Sequence, residues 1–431
     1  MNKIIFSVLL FIFLICPDTY GADKVITKGD VLDLQQCIDI ALQQHPNLFA
    51  AAATIRANES KIGQARANYF PQLTLQSGYD RIGPSSSSSL SRSDPYDRYS
   101  SSLNLSQNIF DFGKTSTRVE IQSLNKESSQ ADLLDSRSLV IYNVKQYYYG
   151  FLQGKMSRDV SQETVNQFQQ HYEIAQAYFE AGKSSKIDVT SAEVSLSNAR
   201  ILLVKAENAL RIARVNLNNA MGIINAPQYE IKDILNYSPY EMSLADAMQT
   251  AYKNRPDLLS VAKKKEGQEK TIELNKKEYL PTLSGNASYG YSSDDLSINN
   301  DNKSWNVGAA LTFPLFTGLS TKYQIQEARA NLDVLKANED ALKQKVSLEV
   351  ESAFLSMKEA EERISAGKTV IRQAEENLEL ARGRYSAGVG NHIEITDAMI
   401  SLNNARMTYI NALSDYSVAQ AGLQKAMGVN K

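Results

Sequence analysis

Few residues in this chain are of a type that does chemistry unaided. It has three histidines, two cysteines and one tryptophan in 431 residues. His45, His171 and His392 lie far apart without ligand-like spacing, so no metal site is expected. Gly182-Lys183-Ser184 echoes the end of a phosphate-binding loop. That motif needs glycine where Ala177 stands, and a strand before it that the pattern lacks. No nucleophile, base and orienting group cluster anywhere, so no catalytic residue, cofactor or enzymatic activity is expected. What remains is a pair of acids. Glu394 and Asp397 stand three residues apart where a long helical pattern begins, so they share one helix face. Taken alone, they are two solvated carboxylates at a helix N-terminus, where the dipole favours them. His392 beside them could make this place respond to pH, although a solvated loop histidine is the simpler reading.

The elements that carry these residues are unusually long. A helical arm runs from about Gly113 to Tyr178, turns at Ala181 to Ser185, and returns from Asp188 to Gly222. A second leaves Gly318, turns at Ala387 to Asn391, and returns from Glu394 to Gly428. No proline lies between Pro95 and Pro227 or after Pro314, so each arm is free to stay helical. An outgoing limb of about 70 residues would measure roughly 105 Å at about 1.5 Å per residue. Such a length suits reaching a distant target or building a long tube.

Ahead of each arm stand the same pieces. Val31 to Leu42 fits a short amphipathic helix, His45-Pro46 interrupts it, and a helix follows to Tyr69. Phe70-Pro71 stops that helix and the period changes to two. Strands are expected over 72–81 and 99–110, around a Ser-rich loop from Pro84 to Arg98. The second set has a short helix over Ser243 to Asn254, Arg255-Pro256, a helix to Tyr279, and strands over 282–292 and 304–313. Pro46 and Pro256 are 210 residues apart, as are Pro71 and Pro281; Gly182 and Gly388 are 206 apart, as are Gly222 and Gly428. The chain is therefore a duplication, with repeats over 22–222 and 243–431 and a linker over 223–242.

All four strands put large apolar residues on one face and Ser, Asn and Thr on the other. Each is about ten residues long, the length of a transmembrane β-strand. In lipid every backbone group must be paired, and four strands cannot close a barrel, so two or more copies must assemble. Met1 to Ile15 has the form of a secretory signal, with cleavage expected after Gly21 or Ala22. Cys16 raises lipid anchoring, although Ile15 before it is larger than the usual small residue. Beyond the signal no apolar run approaches about 18 residues, so no transmembrane helix is expected. A charged fraction of 22% and a net charge of −2 indicate no nucleic-acid partner.

With these pieces in order, the chain resembles the TolC-type outer membrane efflux proteins over essentially its mature length. The most specific stretches are Tyr385-Ser386-Ala387-Gly388 with Ile393 to Asp397, Ala181-Gly182 with Ile187-Asp188-Val189, and the paired Asn198-Ala199-Arg200 and Asn404-Ala405-Arg406. The resemblance implies an α+β membrane protein: a homotrimer in which four strands per chain make one twelve-stranded β-barrel in outer membrane lipid. Twelve helical limbs would form a hollow coiled-coil barrel across the periplasm, with 223–242 in a belt at its equator. It implies a passive exit duct for efflux or type I secretion, served by a periplasmic adaptor and an inner-membrane pump. Glu394 and Asp397 would form acidic rings at the periplasmic gate, with Asp188 and Tyr385 holding it shut. Ala181, Gly182, Lys183, Ala387, Gly388 and Val389 would meet the adaptor. Where some relatives carry a bridging arginine this chain has Gly390, leaving Arg384, Lys183 or Lys186 as substitutes. The competing expectation is a periplasmic coiled-coil scaffold without channel activity.

Overall fold

The computed structural model describes residues 27–83, 94–295 and 302–429. The expected signal, Cys16 and the greater part of both strand-connecting loops lie outside these residues. In chain order the elements are β1 (Val31–Leu32), α1 (Leu34–Gln44), α2 (Pro46–Arg66), β2 (Gln72–Ile82), β3 (Tyr96–Phe110), α3 (Lys114–Glu180), α4 (Lys186–Ala220), β4 (Glu230–Ile231), α5 (Leu244–Asn254), α6 (Pro256–Lys277), β5 (Thr282–Ser293), β6 (Lys303–Thr312), α7 (Ser320–Ser386) and α8 (His392–Ala426). The architecture is α+β: a four-stranded sheet at one end and long helical arms at the other.

Val31 and Leu32 do not begin a helix as their spacing suggests. Asp33 caps α1, its carboxylate accepting the Gln36 N–H while the Gln36 side chain accepts from the Asp33 N–H. The two residues before the cap are then free to pair in parallel with Glu230 and Ile231 of the linker. That pairing depends on a partner some 200 positions away in the sequence, so no local pattern carries it.

The sheet order is β2-β3-β5-β6, every pair antiparallel. Register puts Leu75, Leu103, Tyr289 and Trp305 in one row across all four strands. The adjacent row is Thr74, Asn104, Ser288 and Asn306. Side chains alternate along a strand, so the first row lies on an apolar face and the second on a polar one. The apolar face is not packed on a core: Trp305 is 76% exposed, Val307 72% and Leu75 69%. Among the described residues, β2 and β6 each have a single neighbour, so both edges are open.

α3 and α7 have 67 residues each, roughly 100 Å at about 1.5 Å per residue. Neither α2 nor α4 matches that length alone. Together they cover most of it, because they meet end to end: a Cβ on Gly222, just past α4, would stand 3.0 Å from His45 Cα at the start of α2. α2 lies along the first part of α3, where Glu59 pairs with Lys126 at 3.0 Å. α4 lies along the rest, where Arg200 donates to Gln169 at 3.0 Å. α6 and α8 repeat the device on α7, with Gly428 against Asn254 and Arg255. There Arg255 is 7% exposed and ties three helices together, bonding Asp257, Glu349 of α7 and the Ala426 carbonyl of α8.

Burial is concentrated midway along the arms. Cys37 and Ile38 of α1, Tyr148 and Leu152 of α3, Leu217, Val350 and Leu423 form one core there. The linker wraps it: the Tyr148 hydroxyl donates to the Lys232 carbonyl at 2.7 Å, and the Tyr416 hydroxyl to the Ser238 carbonyl at 2.7 Å. A smaller core of Phe168, Leu196, Leu378, Ile395, Met399 and Leu402 lies toward the arm turns. Between the two, Gly154 lets α4 approach α3, 3.5 Å separating its notional Cβ from the Leu210 backbone.

Candidate functional site: the tips of the arms

Both arms turn in the same way. Gly182 and Gly388 take φ of +71° and +75°, which only glycine adopts at little cost. The Lys183 N–H then donates to the Tyr178 carbonyl at 2.8 Å, and the Val389 N–H to the Arg384 carbonyl at 3.0 Å. These bonds satisfy helix-end carbonyls that would otherwise lack partners. The next helices start on Ser185 and Asn391: the Asp188 carboxylate accepts from both the N–H and the hydroxyl of Ser185 at 3.0 Å, and the Asn391 side chain accepts from the Glu394 N–H at 2.9 Å. Ala181, Gly182, Lys183, Ala387, Gly388 and Val389 are all exposed at the far end of the arms.

The tip acids have different surroundings. The Arg384 guanidinium donates from Nε to Glu394 at 3.1 Å and from Nη2 to the Val389 carbonyl at 3.2 Å. Of the three substitutes for the missing bridging arginine, Arg384 thus holds an acid, although of its own hairpin. Lys186 instead lies 5.6 Å from the centre of the Phe179 ring. Asp397, one turn on, is exposed and borders a groove of about 530 Å³ between α7 and α8, with Arg363, Ser401 and Asn404.

Among the contacts that join the arms to each other, two lie close to the turns. Asp188, at the start of α4, pairs with His392 Nδ1, at the start of α8, at 2.9 Å. His392 is therefore not a solvated loop residue: only 13% of its side chain is exposed. The second contact is a ring cluster. Tyr178 of α3 stacks on Tyr385 of α7 with centroids 5.6 Å apart, and His171 meets Tyr385 edge-on at 5.9 Å. His171 is 2% exposed. Burial, then the charges of His392 and Arg382, push its pKa down to about 4, so it is neutral at pH 7. Burial, then Asp188 and Tyr178, push the Tyr385 hydroxyl up. Beside the cluster lies a cavity of about 340 Å³ between α3, α7 and α8.

The structure thus brings Asp188, Tyr385 and Glu394 to one tip and sets Asp397 just above them. Sequence reasoning missed His171 and Tyr178 as partners of Tyr385. The available signal was their spacing of seven on α3, two turns of one face, but nothing local indicated that α7 would cover it.

Comparison with known proteins bears on the fold and the family. The family model described as "Outer membrane efflux protein" matches residues 37–223 and 247–429, one match per arm. The chain is 22% identical over 402 residues to the probable efflux pump outer membrane protein TtgC of Pseudomonas putida, covering 92% of this chain and 82% of that protein. It is 23% identical over 412 residues to the outer membrane protein TolC of Vibrio cholerae, covering 92% and 90%. The crystal structure of the Campylobacter jejuni CmeC outer membrane channel superposes with a TM-score of 0.81 at 19% identity, over 92% of this chain and 85% of that one. With both arms matched and the two-faced sheet at their head, the chain belongs to the outer membrane efflux protein family, an outer membrane protein whose helical arms extend into the periplasm.

Proposed function

We propose that this chain is the exit duct of a tripartite efflux or type I secretion machine, without enzymatic activity of its own. The observation that carries the reading is the sheet: four strands, two open edges, one exposed apolar face, joined to arms about 100 Å long. A sheet in lipid must close, and three copies would supply twelve strands, enough for a water-filled interior. Trp305, Val307 and Leu75 would then face lipid. The Thr74, Asn104, Ser288 and Asn306 row would face the lumen.

In this homotrimer the arms form a helical tube through the periplasm, girdled by the linker over 223–242. The tip is the gate. Glu394 and Asp397 repeat threefold around a narrow opening and attract cations, while the Asp188–His392 pair and the Tyr385 cluster keep neighbouring hairpins together. The exposed turns at Ala181 to Lys183 and Ala387 to Val389 meet a periplasmic adaptor, which couples the duct to an inner-membrane pump. The pump supplies the energy.

Detergent-extracted protein in a planar bilayer tests this. Wild type is expected to conduct weakly and to prefer cations, and the Glu394→Ala/Asp397→Ala double variant to lose that preference or open wider. Confirmed insertion with no current in either form would refute the duct.

A further inference from the structure

Three buried polar atoms at the tip have no hydrogen-bond partner: His171 Nε2, Tyr385 Oη and Thr396 Oγ1. A buried polar group without a partner loses its bonds to water and gains nothing in return. Two of the three, His171 and Tyr385, meet edge-on across the contact between α3 and α7. The contact is therefore made of well-packed rings whose polar ends are under-satisfied. Parting the helices would cost ring contact and return hydration.

The ionisable groups around His171 come from four helices. Tyr178 lies two turns along α3; Arg382 and Tyr385 stand on α7; His392 stands on α8, bonded to Asp188 on α4. No carboxylate reaches His171 itself, since Asp188 is engaged with His392 and Glu394 with Arg384. A proton on His171 would sit among Arg382 and His392 with no anion to receive it. The cavity beside the cluster, lined also by Ile174, Ile395 and Met399, gives water a place to enter once the rings separate.

We infer that His171 is a proton-sensitive latch: neutral, it packs the tip shut, and ionised, it forces α3 and α7 apart, so acid opens the tip. The inference rests on the reading of the tip as a gate. Its sign follows from linkage. Burial first, with the Arg382 guanidinium nearby, holds His171 near 4 when packed, against an ordinary 6.5 once hydrated. The closed form thus has its full stability above pH 6.5 and loses it as pH falls toward 4, because the open form binds the proton more tightly. Between pH 8 and pH 5 the ratio of open to closed tips in one chain should rise about 30-fold.

The test uses the full-length protein, extracted and assembled, with Cys37→Ala and spin labels at Gln176→Cys on α3 and Ser386→Cys on α7. Label separation is followed from pH 8 to pH 4.5, beside bilayer conductance. Wild type at 171 should show a longer-distance population and a larger current that grow through this range. His171→Phe, which keeps a ring, and His171→Gln, which keeps a polar group, should both be flat; either one alone suffices if the other misassembles. A flat wild type, or a rise that survives both substitutions, overturns the latch. Cation selectivity at pH 8 in a Glu394→Gln/Asp397→Asn variant separates this from the gate reading. Lost selectivity with no pH response leaves the gate standing and removes the latch. Unchanged selectivity with a His171-dependent separation keeps the latch as a conformational element and removes the gate.

Discussion

Of the seven glycines with positive φ among the described residues, four fall into two pairs, and alanine at each of these should separate two physical costs. Gly182 and Gly388 turn the tips, and a Cβ on either would meet nothing within 4 Å. Alanine there bears only the left-handed backbone penalty, about 1–2 kcal/mol. Gly222 and Gly428 close the end-to-end helix joints. At Gly428 a Cβ would stand 2.8 Å from both the carbonyl carbon and the oxygen of Asn254, and 3.0 Å from Arg255 Cα. These are backbone atoms, so no rotamer relieves the clash and α6 must move off α8. That displacement adds roughly 1–3 kcal/mol of overpacking. It also pulls Arg255 from the Ala426 carbonyl, already 3.3 Å away. At Gly222 the nearest atom is His45 Cα at 3.0 Å, a milder conflict with no arginine clamp behind it. The expected order of destabilisation is Gly428→Ala, then Gly222→Ala, then Gly388→Ala and Gly182→Ala. Urea unfolding in detergent, followed by far-UV circular dichroism at fixed protein concentration, measures it. If Gly388→Ala destabilises as much as Gly428→Ala, close approach at the joint is not the source of the cost, and the reasoning fails.

Two further outcomes follow from the same contacts. Arg255→Ala removes the shared partner of Asp257 and Glu349, whose side chains are 21% and 27% exposed and so regain water, and should cost about 1–3 kcal/mol, read in the same unfolding assay. Arg384→Ala removes a pair whose side chains are 56% and 39% exposed, so solvent screening limits its stability effect to under about 1 kcal/mol; its signature should instead be stronger cation preference in the bilayer, as Glu394 loses its counter-charge.

Much was written locally. Proline and glycine punctuation marked where helices stop, and alternation over Leu73, Leu75 and Tyr79 marked a strand with unlike faces. The constant spacing of Gly182 from Gly388 exposed the duplication. These are signals within a few residues or between copies of one pattern, and the backbone obeys them with little help from elsewhere. Strands with unlike faces also raised the expectation of assembly, because unpaired backbone groups in lipid are too costly. What tertiary structure alone decided are the meetings of distant side chains. Whether His392 is solvated or bound depends on Asp188, which lies on the other arm. Whether His171 is buried depends on α7 covering α3. Val31 and Leu32 became a strand only because the linker returns beside them. Each choice turns on the local dielectric and the partner available, and neither exists until the arms have packed.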